Sequence, residues 1–179
     1  MDSERGGGVM NAVVVYESLW GNTAAIAHAI AEGLGAGTRA LSTAEASSTS
    51  LSGVDLLVVG APVLAFKMPS ERTLKSLSVA PADAPAPPDL SQPPMKVWLE
   101  ALPAGRGYAA AFDTQVRGPF GSAASSIRKS LEHAGYRSLG KPTGFIVGGK
   151  YGPLKEGELD RARVWGEDLA RAYAATVNS

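Results

Sequence analysis

The chain has no cysteine, which excludes disulfides, a thiol redox couple and thiolate metal ligands. Histidine is nearly as scarce: His28 and His133 are the two present. Each falls within a helical pattern and neither belongs to a cluster spaced for metal binding, so both read as surface or packing residues. Net charge is missing as well, with 17 Lys and Arg against 17 Asp and Glu. No basic stripe points to nucleic acid. No apolar run approaches the ~20 residues needed to cross a membrane. The first residues lack the apolar core of a signal peptide, so the sequence predicts a cytoplasmic protein with a flexible tail over residues 1–10. Any redox chemistry in such a chain must come from a bound organic cofactor.

What is present is an alternation of strand and helix patterns over residues 11–178, which 179 residues accommodate as a single domain. Apolar runs at 11–16, 54–59, 108–112 and 144–147 predict strands, with Gly60 ending the second of these runs. A weaker strand near 38–41 has the low apolar content of a sheet edge. Helical periodicity covers about 23–34, 71–77, 96–102, 122–134 and 158–177. In the last helix Trp165 lies on the apolar stripe and reads as core. Nearly continuous apolar strands separated by helices imply a parallel sheet covered on both faces. One stretch breaks the pattern: residues 81–94 carry half of the 12 prolines. It cannot be helical and reads as an extended insertion at about 80–94, dispensable for ligand binding.

The most informative segment joins the first strand to the first helix: Ser18, Leu19, Trp20, Gly21, Asn22 and Thr23. A tight turn of this composition, placed before a helix, aims backbone N–H groups and hydroxyls at one point, at the positive end of the helix dipole. That point suits a phosphate. The loop has no Lys of the Gly-x-x-x-x-Gly-Lys-Ser/Thr kind and no Gly-x-Gly-x-x-Gly in the right place. A phosphate here would be held by dipoles and hydroxyls alone. An ordinary strand-to-helix turn is the competing reading.

Tyr16 to Thr23 resembles the phosphate loop of the flavodoxin-like family, in the form with an aromatic at the third position. That resemblance implies a doubly wound α/β fold with a five-stranded parallel sheet in the order 2-1-3-4-5, and flavin mononucleotide, FMN, as cofactor. Trp20 departs from the hydroxyl of short flavodoxins. Gly60, Pro62 and Met68 resemble the flavin-ring loop of the flavin-dependent quinone reductases. The resemblance implies that Pro62 fixes a turn and that the N–H groups of residues 63–68 meet the polar edge of the ring. It brings Val63, Leu64, Phe66, Lys67 and Met68 into the site, with Phe66 and Met68 equally readable as packing residues.

The loop after the fourth strand places Phe112, Asp113, Thr114 and Gln115 at the ribityl chain and ring, with Asp113 alternatively a turn residue. It lacks the acidic, tyrosine-bearing pattern of short flavodoxins. Lys150 and Tyr151, on a further loop of the same rim, read as surface decoration. The family implies electron transfer, with redox partner proteins or a small-molecule acceptor as partners. An NAD(P)H-dependent reductase of quinones or other small acceptors is the alternative, and a flavin-free scaffold a third. Carriers of this family are usually acidic, so the neutral charge departs from the carrier pattern.

Overall fold

The computed structural model describes residues 9–79 and 82–179. Residues 1–8 of the expected tail, and Ala80 and Pro81 at the start of the proline-rich insertion, lie outside the described residues. The strands are β1 (Ala12–Tyr16), β2 (Arg39–Ser42), β3 (Leu56–Pro62), β4 (Tyr108–Val116), β5 (Arg137–Ser138) and β6 (Thr143–Val147). The helices are α1 (Asn22–Leu34), α2 (Glu71–Ser76), α3 (Met95–Glu100), α4 (Ala124–His133) and α5 (Glu158–Val177).

All strand pairings are parallel, in the order β2-β1-β3-β4. The fifth position, beyond β4, is shared. Short β5 pairs with the start of β4, and β6 pairs with Phe112–Val116. Between them lie Gly140 at φ 71° and Pro142, which has no N–H to donate. The strand is therefore broken in two, and β5 is an element the sequence pattern does not announce.

Alternation along the strands divides the core into two layers. Val14, Leu56, Val58, Ala110 and Phe112 pack with Ile26 and Ile30 of α1 and Leu169 of α5. Val13, Val15, Leu57, Val59 and Ala109 pack on the other face with Met95 and Leu99 of α3 and Ile127 and Leu131 of α4. Both faces being buried explains why the strands read as unbroken apolar runs. Trp165 packs edge-on against Phe112 and Phe145, at ring separations of 6.3 and 5.9 Å.

Two strand ends differ from expectation. β3 does not stop at Gly60 but runs to Pro62. Gly60 is there for space, because a Cβ would lie 2.1 Å from the Phe112 ring. β4 continues past Phe112 to Val116, since Asp113–Val116 find partners in β6, and Asp113 and Thr114 pair with the end of β3 as well. Among the described residues no helix is long and apolar enough to cross a membrane.

Candidate functional site

In a parallel sheet with helices on both faces, ligand-sized crevices form beyond the carboxyl ends of the strands where the order reverses. Here that point lies between β1 and β3. A cleft of about 290 Å³ opens there. Its walls are Ser18, Leu19, Trp20, Asn22 and Thr23 after β1, Pro62 to Phe66 at the end of β3, and Thr114 to Val116 of β4. Phe120, Val147 and Lys150 complete it.

Gly21 makes the turn into α1. It sits at φ 90°, directly before the helix, with no side chain capping the first turn. The first N–H groups of a helix have no partner within it. The N–H groups of Leu19, Trp20, Asn22, Thr23 and Ala24 donate to no group among the described residues. Two buried hydroxyls stand beside them. Ser18 Oγ accepts from the Gly21 N–H at 3.2 Å, and Thr23 Oγ1 shares a 2.8 Å hydrogen bond with Thr114 Oγ1. Lys150 is the one charged residue among those lining the cleft. The free N–H groups, the helix dipole and this ammonium all favour an anion.

The loop after β3 closes the other lip. Val63 N–H donates to the Thr114 carbonyl at 2.9 Å. Leu64 and Lys67 exchange backbone hydrogen bonds of 2.8 and 3.2 Å across a two-residue turn. That turn is Ala65–Phe66, at φ 49° and 69°, the sign pattern of a type I′ turn. Neither residue is glycine, and the left-handed region costs each roughly 1–2 kcal/mol. Such strain collects at functional sites. The expectation that the N–H groups of residues 63–68 meet the ring's polar edge is corrected in part: those of residues 63, 64 and 67 are spent inside the protein. Ala65 and Phe66 keep theirs, and Phe66 stands 66% exposed at the rim beside Phe120 at 46%.

The structure thus gathers Ser18, Leu19, Trp20, Asn22, Thr23, Pro62, Val63, Leu64, Phe66, Thr114 and Gln115 around one cleft. Gly21 shapes it from the turn. Four residues expected there stand elsewhere. Lys67 and Met68 lie past the Ala65–Phe66 turn and line a different cavity, against α3 and α4. Phe112 is fully buried under Gly60, in the α1/α5 layer. Asp113 is fully buried and faces the start of α4. Its Oδ2 accepts from Ser122 Oγ at 2.9 Å and from the N–H groups of Ala123 and Ala124 at 2.9 and 3.0 Å. Burial still raises its pKa, against the hydrogen bonds of Ala124, Ser122 and Ala123 that lower it.

Three features of the site have little or no sequence signal. Lys150 is a wall of the cleft rather than decoration. Tyr151 stacks edge-on against Trp20 at 4.8 Å, and its carbonyl accepts from Asn22 Nδ2 at 3.1 Å. The proline-rich insertion is not a loose excursion. Asp89 N–H donates to the Leu19 carbonyl at 2.8 Å, Gln92 Nε2 to the Ser18 carbonyl at 3.0 Å, and Trp20 Nε1 to the Ala86 carbonyl at 3.1 Å. Tyr151 OH donates to Asp83 Oδ1 at 3.2 Å. The insertion therefore splints the phosphate-loop candidate from outside, in the order in which the two segments run past each other.

Glu17, immediately before that loop, is 2% exposed. Burial pushes its carboxyl from 4.5 up to about 7, against a backbone hydrogen bond from Met95 that lowers it.

No family model matches the sequence, and no curated protein matches it. The fold does have close counterparts among solved structures. A flavodoxin from the domain Archaea superposes with a TM-score of 0.65 at 20% identity, over 92% of this chain and 99% of that one. The fold is flavodoxin-like. A WrbA-like flavodoxin protein from Agrobacterium tumefaciens superposes at 0.60, with 20% identity, over 93% of this chain and 98% of that one. The Flv1 flavodiiron core from Synechocystis gives 0.62 at 17% identity, over 97% of this chain and 38% of the larger protein. The flavodoxin-like order expected from the sequence is the order observed.

Proposed function

We propose that the protein binds FMN in the β1/β3 cleft and transfers electrons as a cytoplasmic carrier. The observation that carries this reading is the set of unpartnered N–H groups at the start of α1, next to Ser18 and Thr23, opening onto a mostly apolar cleft. A phosphate monoester fits the N–H groups, and a flat apolar ring system fits walls made by Leu64, Phe66, Trp20 and Phe120. FMN has both parts. When bound, it supplies one- and two-electron chemistry.

The chain's own residues would do the rest. The N–H groups of Leu19, Trp20, Asn22, Thr23 and Ala24 and the Ser18 and Thr23 hydroxyls would bind the phosphate. The Ala65 and Phe66 N–H groups would meet the polar edge of the ring. Lys150 would add a positive charge at the rim. The exposed Phe66 and Phe120 give a redox partner an apolar contact beside the cofactor.

A reductase taking electrons from a nicotinamide is the second reading, supported by the resemblance of Gly60 and Pro62, at the end of β3, to the flavin-ring segment of the flavin-dependent quinone reductases. The test is rapid mixing of FMN-loaded protein with NADH or NADPH and no partner reductase. The carrier reading predicts slow or absent bleaching of the flavin band. Fast bleaching followed by turnover with a benzoquinone would replace the carrier with the enzyme.

A further inference from the structure

Past the Ala65–Phe66 turn, beside the cofactor cleft, lies a groove of about 840 Å³ between the loop after β3, α3 and α4. Met68, Leu99, Leu102 and Ala134 give it apolar walls and belong to the α3/α4 core layer. Lys67 enters from the loop, Lys96 from α3 and Lys129 from α4, and all three are exposed. His133, one helical turn on from Lys129, lines it as well. Glu100 is the one carboxylate among the lining residues.

The chain as a whole is neutral, with 17 basic and 17 acidic side chains, so three ammoniums against one carboxylate make a local excess. Every ion pair among the described residues belongs to an arginine of α4 or α5, so none of these lysines is neutralised by direct pairing. The groove also adjoins the rim of the cofactor cleft. Leu64 and Lys67 close the turn that carries Phe66, and Phe66 and Phe120 both line the cleft. Gly121, next to Phe120, is pressed against the same turn: a Cβ there would lie 1.9 Å from the Phe66 carbonyl oxygen. The two exposed phenylalanines and the lysines therefore form one continuous surface. Apolar contacts surrounded by charged groups are the anatomy of a protein interface.

We infer that this surface docks the acidic face of a partner protein, whose carboxylates meet Lys67, Lys96 and Lys129 and whose apolar contact covers Phe66 and Phe120. Charge complementarity sets the sign of the partner, steers its approach and fixes its register. On the carrier reading above, that partner is the electron donor or acceptor, and it docks beside the cofactor. A second copy of this chain on a two-fold axis is a poor occupant, because such an interface pairs a patch with itself and would set the same lysines against each other.

Docking is tested on flavin-free protein, so that its failure and the failure of the FMN reading are separate results. If the protein takes up no FMN while docking holds, the carrier reading falls and the docking surface stands. Soluble cytochrome b5, an acidic haem protein, is titrated by calorimetry, with cytochrome c, a basic haem protein, as the control. Saturable binding of cytochrome b5 alone is expected, and it should weaken roughly tenfold between about 20 and about 200 mM salt as exposed charges are screened. Exposed ion pairs are worth little singly, so Lys67→Glu, Lys96→Glu and Lys129→Glu are combined. The triple variant should lose at least tenfold in affinity as attraction turns to repulsion. Arg39→Glu, Arg163→Glu and Arg171→Glu together make the same charge change on β2 and α5, away from the groove, and should cost far less. Far-ultraviolet circular dichroism confirms that both variants are folded. No saturable binding, equal or tighter binding of cytochrome c, insensitivity to salt, or unchanged affinity in the folded Lys variant would overturn the proposal. So would tighter binding of a single-stranded oligodeoxynucleotide, or dimerisation of the protein alone that the Lys variant abolishes.

Discussion

Glu17 and Asp113 are buried carboxyls near the cleft, and burial raises the pKa of both, but they differ in how many donors meet them. Asp113 gathers three donors on one oxygen and organises the start of α4. Asp113→Ala should leave those donors unmet and lower stability by about 2–4 kcal/mol, summing losses of roughly 1 kcal/mol per bond. Urea denaturation measures this, and a loss under about 0.5 kcal/mol, the range of surface substitutions, would remove its structural role. The sequence offers Asp113 as a polar residue after an apolar strand. It cannot show that Ser122 to Ala124 return to meet it, because that depends on how α4 packs.

Glu17, like Asp113, has one oxygen with no donor among the described residues, but a single backbone hydrogen bond, from Met95, opposes its burial. The folded state prefers it neutral up to about pH 7, whereas an ordinary carboxyl ionises near 4.5. Between those values the folded state holds the proton and the unfolded state does not, so stability falls as pH rises. At about 1.4 kcal/mol per pH unit, the loss reaches up to roughly 3 kcal/mol by pH 8. Glu17→Gln should remove this loss, so the variant gains on the wild type between pH 5 and pH 8 in urea titrations. A constant difference across that range would show that Glu17 is ionised at little cost.

At the scale of elements, the regular parts were legible and the contacts between loops were not. α5 was legible because Ala162, Trp165, Leu169 and Tyr173 pack in the core at helical spacing, a helix against a sheet writing its packing face into the sequence every three or four residues; the stripe's two ends, Leu159 and Val177, are exposed. The end of β4 was missed because Asp113, Thr114 and Gln115 are polar, and only their pairing with β6, and for Asp113 and Thr114 also with β3, makes them strand. The insertion was read from its prolines alone. Prolines exclude helix but say nothing about what the chain's carbonyls and side chains touch.

In the structure the insertion braces Ser18, Leu19 and Trp20, and Thr43 Oγ1 donates to the Pro93 carbonyl at 2.6 Å. Replacing residues 82–92 by a Gly/Ser segment of equal length should therefore weaken FMN binding at least tenfold. That equals about 1.4 kcal/mol, the net worth of one or two hydrogen bonds. It should also lower the melting temperature. Unchanged affinity would return the insertion to the dispensable role that its composition suggests.

At the scale of the whole molecule, the topology follows from patterning that survives low sequence identity. Apolar strands buried on both faces, joined by helices, leave few arrangements open, and the switch point then fixes where a ligand enters. The phosphate-loop candidate was legible because Ser18, Gly21 and Thr23 act locally, through one turn and one helix end. The lips of the cleft were less so, since Lys150 and Tyr151 reach it from a loop more than a hundred residues further along the chain.

The central claim is that the free N–H groups of Leu19, Trp20, Asn22, Thr23 and Ala24 bind a phosphate. The most direct test compares FMN with riboflavin, which differs by that phosphate alone, by fluorescence quenching on the flavin-free protein at fixed ionic strength. Several hydrogen bonds to a charged group, each worth ~1.5–3 kcal/mol, predict that FMN binds at least a hundredfold more tightly. Equal affinity for the two flavins would contradict the account.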